Sequence, residues 1–78
     1  MTTTEIEYRI RGILRRVARL DGEYSPRADL FRELGVRSVA ALDLLLSLEE
    51  EFGVSIADQA FGEARSVDAL VTLVRDLQ

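Results

Sequence analysis

Chemistry has few places to reside in this chain. Its 78 residues include no histidine and no cysteine, which removes the commonest general base and any disulfide or thiolate metal site. One hydroxyl and two kinds of charge are left to consider. Ser38 stands where a broken, Gly-containing stretch gives way to a leucine-rich run, a place where serine ordinarily caps a helix. Arg37 precedes it, and Asp43, Glu49, Glu50 and Glu51 follow within the run. A hydroxyl and carboxylates without an imidazole make a catalytic role for the isolated chain hard to build.

The charge balance narrows the partners. The formal net charge is -4, and all ten basic residues are arginine. An acidic chain repels phosphate backbones overall, so nucleic-acid binding is not expected. The charge is uneven: Arg9, Arg11, Arg15, Arg16 and Arg19 make the first segment basic, while Asp43, Glu49, Glu50, Glu51 and Asp58 make the middle acidic. Such asymmetry speaks to steering and partner choice rather than to fold. A small DNA-binding domain using the basic first segment is disfavoured, because no recognition helix with groove-reading polar residues accompanies it. The opening Met1-Thr2-Thr3-Thr4-Glu5 does not read as a signal peptide, and no apolar stretch approaches a membrane span. A cytoplasmic monomer, not bound to membrane, is expected.

The elements that would position these groups are helical. With 47% hydrophobic residues the chain suits one folded domain over residues 1–78. Ile6, Ile10, Ile13, Val17 and Leu20 recur at helical spacing, predicting a first helix over residues 4–19, with Thr4 and Glu7 as a capping box. Gly12 inside it costs roughly 1 kcal/mol against alanine. Asp21-Gly22 and Ser25-Pro26 break the pattern, and residues 20–37 are expected to form a long structured loop with a turn near 28–33. A second helix is expected over 38–52, with Val39, Leu42, Leu45, Leu46 and Phe52 on its inward face, Leu44 and Leu48 widening that face, and Gly53 as its stop. Glu49, Glu50 and Glu51 in its last turn oppose the helix dipole, a local conflict of the kind that accompanies function. A short helix over 57–61 and a last helix over 66–77, capped by Ser66 and carrying the stripe Val67, Leu70, Val71, Val74 and Leu77, complete an all-α arrangement.

The run Asp29-Leu30-Phe31-Arg32-Glu33-Leu34-Gly35-Val36-Arg37-Ser38-Val39 resembles the attachment region of acyl carrier proteins, and Leu48-Glu49-Glu50-Glu51-Phe52-Gly53 resembles the end of that family's second helix. The resemblance implies an acyl-carrier-like four-helix bundle, three long helices plus a short third, with a long loop after the first. It implies that Ser38 receives 4′-phosphopantetheine from coenzyme A through a separate phosphopantetheinyl transferase, and that the arm's thiol holds acyl groups as thioesters. A serine at a helix start suits that chemistry, because unpaired backbone N–H groups there favour a phosphodiester's charge.

Two positions depart from the family pattern. Arg37 replaces the usual aspartate, and Val39 the usual leucine, expected to pack inward. Arg37 either pairs with the phosphodiester or is a solvated arginine without a role. The resemblance further implies that Asp43, Glu49 and Glu50, with Val39, dock basic patches on acyl-loading and acyl-processing enzymes. Leu42, Leu45, Leu46, Phe52 and Ile56 are either plain core or the walls of an acyl pocket. The expected role is a carrier for fatty-acid, polyketide or related biosynthesis. An aminoacyl or peptidyl carrier, or a carrier-like interaction module that is never modified, are the alternatives.

Overall fold

A computed structural model describes residues 1–78. Four α-helices account for the regular structure: α1 (Thr3–Ala18), α2 (Ala41–Phe52), α3 (Asp58–Glu63) and α4 (Val67–Leu77), with a 3₁₀ turn (Ser38–Ala40) leading into α2. The expected all-helical architecture and the order of its elements are what is found.

α1 begins earlier than the sequence suggested. The Thr-x-x-Glu spacing occurs twice, and the first copy is used: Glu5 donates its N–H to the Thr2 hydroxyl at 3.1 Å, and Thr2 donates its own to the Glu5 carboxylate at 3.1 Å. Capping at the earlier copy lengthens the helix, and it frees Glu7 to pair with Arg11 one turn on, at 2.8 Å. α1 ends at Ala18, and Arg19 caps it with φ 55° and ψ 35°. That left-handed conformation costs a non-glycine residue about 1 kcal/mol. α2 ends in the same conformation, but there glycine holds the position, Gly53 at φ 64°.

Fifteen side chains form a single core with no buried polar or charged residue. α1 contributes Ile6, Ile10, Ile13 and Leu14; α2 contributes Leu44, Leu48 and Phe52; α4 contributes Val67, Leu70, Val71 and Val74. Leu14 belongs to this core, whereas Val17 and Leu20, expected in the stripe, are only partly buried against it. Leu77 is likewise outside the core, exposed at the end of α4. In α4 the Ser66 hydroxyl accepts the Ala69 N–H at 3.1 Å, as its cap position predicts.

The inward face of α2 differs from the expected one. Val39, Leu42 and Leu46 are exposed, at 78%, 62% and 54%, while Leu44 and Leu48 are sealed inside. Leucines occur almost all round this helix, so two stripes compete. Residues two apart point to nearly opposite sides. The stripe at 44, 48 and 52 is extended by Phe52 into the core, and choosing it turns 42 and 46 out to solvent.

The long loop is tied down rather than free. Leu30 is fully buried, and its N–H donates to the Arg65 carbonyl at 2.8 Å. The Asp68 N–H donates to the Pro26 carbonyl at 2.9 Å, so the loop is stitched to the α3–α4 junction at two points. The turn expected near residues 28–33 exists as a short hydrogen-bonded turn held by Asp29, not as a helix.

Candidate functional site

The start of α2 is the one long-helix start without a side-chain cap. Thr2 caps α1 and Ser66 caps α4, but neither the 3₁₀ turn nor α2 receives a side-chain cap bond. Ser38 is available for that task and does not perform it. Arg37, extended at φ -81° and ψ 141°, occupies the cap position of the turn, and Ser38 is the turn's first residue. The turn closes through backbone bonds instead, Ala40 N–H to the Arg37 carbonyl at 2.9 Å and Ala41 N–H to the Ser38 carbonyl. The Ser38 residue is exposed and its hydroxyl takes part in no hydrogen bond within the chain. Ser38 is therefore not an ordinary cap: its hydroxyl stands unused at the surface.

Beside it lies a groove of about 360 Å³ lined by Phe31, Ser38, Ala41, Phe61, Gly62 and Arg65. Its walls come from the loop, the first turn of α2, and α3 with the segment after it. The Arg65 guanidinium lies over the Phe31 ring, 4.9 Å from its centre, and pairs with Asp29 through Nε at 2.9 Å. Asp29 in turn accepts the N–H groups of Phe31 and Arg32 at 2.9 and 2.8 Å. The Arg65 hydrogen bond, reinforced by these backbone donors, holds the Asp29 carboxyl down at about 2. Aromatic, loop and charge are thus fixed together at one edge of the groove. Nothing in the sequence linked Asp29 to Arg65, and the groove wall around Phe61, Gly62 and Arg65 was not foreseen.

On the other flank of the same turn, Arg37 and Val39 line a second groove of about 290 Å³ with Val17, Ala18, Arg19 and Ala40. Arg37 and Ser38 are neighbours in sequence, yet they line different grooves that share no residue.

The four candidate docking residues are not alike. Asp43 and Glu50 are exposed and join no ion pair, and Val39 is exposed instead of packed inward. Glu49 is half-buried, and its carboxylate accepts the Ile56 N–H at 2.8 Å, fixing the link that follows α2. Glu51, beside them, pairs with Arg9 at 2.9 Å. The residues considered for an acyl pocket do not come together: Phe52 and Ile56 are in the core, Leu45 is partly buried against it, and Leu42 and Leu46 face solvent. The reversed face of α2 separates them. No group of residues is arranged to hold a metal ion, and no helix is long and apolar enough to cross a membrane.

Comparison with known proteins agrees with this arrangement. The family model described as "Phosphopantetheine attachment site" matches residues 9–74. The chain is 37% identical to acyl carrier protein 2 of Ralstonia nicotianae over 99% of its own length and 96% of that protein's. It is 30% identical to the mitochondrial acyl carrier protein of Dictyostelium discoideum over 91% of its length, spanning 59% of that longer chain. Its structure superposes on a putative acyl carrier protein from Mycobacterium tuberculosis with a TM-score of 0.82, at 25% identity, covering 91% of this chain and 96% of the other. With an unused serine hydroxyl at the head of its second helix and these likenesses along nearly its whole length, the chain belongs to the acyl carrier protein family, whose members carry covalently attached 4′-phosphopantetheine.

Proposed function

We propose that Ser38 is the attachment residue and that the chain carries acyl intermediates for fatty-acid, polyketide or related biosynthesis without catalysing a reaction itself. The observation that carries this reading is the exposed, uncapping hydroxyl at the start of α2. A serine engaged as a cap would have to surrender a hydrogen bond before reacting; Ser38 has none to surrender. In the transfer, the Ser38 Oγ–phosphorus bond forms as the phosphoanhydride bond of coenzyme A breaks. Adenosine 3′,5′-bisphosphate leaves, and the hydroxyl proton passes to a base of the transferase.

The residues present suit the group. The groove lined by Phe31, Ala41, Phe61 and Gly62 opens directly at Ser38 and offers an apolar floor beside it. Arg65, held by Asp29 at the groove's edge, places positive charge near where the phosphodiester's negative charge would arise. When bound, the arm supplies the thiol that holds the cargo as a thioester. Because the arm is tethered, cargo is presented to successive enzymes at high effective concentration. Asp43 and Glu50 are free to meet basic groups on acyl-loading and acyl-processing enzymes. Glu49 has a backbone N–H to satisfy and contributes less to docking.

The test is the intact mass of the chain after incubation with coenzyme A, magnesium and a broad-specificity phosphopantetheinyl transferase. One added phosphopantetheine on the wild type, and none on Ser38→Ala, is the expected result. Addition to both proteins would move the attachment elsewhere, and addition to neither, even with the organism's own transferase, would favour an unmodified interaction module.

A further inference from the structure

The groove on the far flank of the 3₁₀ turn has a composition that its neighbours do not explain. Arg19 and Arg37 reach it from different elements, the end of α1 and the end of the loop, and Val17, Ala18, Val39 and Ala40 supply its apolar surface. The chain's ion pairs join Arg9 to Glu51, Arg11 to Glu7, Arg15 to Asp21 and Arg65 to Asp29. Arg19 and Arg37 are in none of them, so two arginines without an ion-pair partner line one groove, and no acidic residue lines it with them. Val39, which lines the same groove, is 78% exposed.

Arg19 is also held in a conformation that does not suit it. At the equivalent cap of α2 the chain uses glycine, and at α1 it accepts a side chain at φ 55°. Local stability would be served by glycine at both places. An arginine kept there at a steric cost, beside a second unpaired arginine and an exposed valine, fits a surface shaped for a partner.

We propose that this groove docks the carrier's own phosphopantetheinyl transferase through a patch on that enzyme bearing carboxylates beside apolar side chains. The proposal rests on Ser38 being the attachment residue. An enzyme that must bring a phosphate to the Ser38 oxygen necessarily covers the residues on either side of it, Arg37 and Val39. The groove that opens at Ser38 shares no lining residue with this one, so the transferase gains contact here without occupying the groove beside the group it delivers. A basic transferase surface would meet two like charges; an acidic one is steered in and held in register.

The experiment is the steady-state kinetics of phosphopantetheine transfer to the full-length apo chain by the transferase of the same organism, with coenzyme A and magnesium. Arg37→Glu and Arg19→Glu are each expected to raise KM for the carrier by roughly 5-fold or more with kcat nearly unchanged. Arg75→Glu, an equal charge change on α4, should leave KM alone. Arg19→Gly separates docking from folding: it removes the guanidinium and relieves the cap, so KM rises while the melting temperature holds or increases. Wild-type KM in the Arg19 and Arg37 variants, or an equal rise in Arg75→Glu, would overturn the proposal while leaving Ser38 as the attachment residue. A KM rise in Arg19→Gly that appears only with a lower melting temperature would also overturn it. Failure of this transferase to load the wild-type chain would remove the attachment reading and this inference together.

Discussion

The two ends of α2 use polar side chains in opposite ways. At the C-terminal end, Gly53 closes the helix, Glu49 holds the Ile56 N–H and Glu51 holds Arg9. Carboxylates that oppose the helix dipole are retained there because two of the three have structural partners. At the N-terminal end, Ser38 caps nothing, Arg37 pairs with nothing, and Val39 is left in solvent. One end is spent on holding the chain together and the other is left for something outside it. The difference teaches where to look for function in a small domain: at the hydrogen-bonding groups that the fold could have used and did not.

The same division runs along the helix faces, and substitution should expose it most strongly there. Leu48→Ala empties a fully buried site and should cost about 3 kcal/mol in chemical denaturation. Leu46→Ala, on the exposed stripe, should stay within about 0.5 kcal/mol of the wild type. Comparable losses at both positions would mean that α2 is turned differently from the description above.

A smaller contrast sets serine against serine. Ser66→Ala removes the cap of α4 and should cost about 1 kcal/mol. Ser38→Ala removes a hydroxyl with no partner and should change stability by less than about 0.5 kcal/mol. Among the glutamates, Glu49→Ala should cost about 1 kcal/mol by orphaning the Ile56 N–H, and Glu50→Ala close to nothing. A Ser38→Ala protein destabilised as much as Ser66→Ala would erase the distinction between the two ends.

The smallest effect is the pH dependence of the loop's anchor. Asp29 titrates at about 2 in the folded chain, below its ordinary 3.8, chiefly through Arg65. A depressed carboxyl stabilises the fold only while ionised, so its contribution is complete above pH 4 and fades as pH falls from about 4 through 2. Denaturation midpoints of the wild type should therefore decline in that window more than those of Asp29→Asn.

Much of this was legible in the residues. The helix order, the long loop, the Gly53 stop, the Ser66 cap and the position of Ser38 all follow from periodicity, turn chemistry and the run from Asp29 to Val39. The rotation of α2 was not, because a helix with leucine at 42, 44, 45, 46 and 48 offers no single apolar stripe and only its packing partners choose one. The duplicated Thr-x-x-Glu spacing hid the start of α1 for a related reason, since two local solutions were chemically equivalent. Glu49 read as a docking charge because its backbone partner comes from a link seven residues on. The Asp29–Arg65 pair, 36 residues apart in sequence, is set by the tertiary fold alone.

The central claim is that Ser38 bears the arm, and fragment mass spectrometry of the loaded chain tests it most directly. The phosphopantetheine mass should fall wholly on the peptide that contains Ser38 and within it on that residue. The same mass on another hydroxyl would contradict the account.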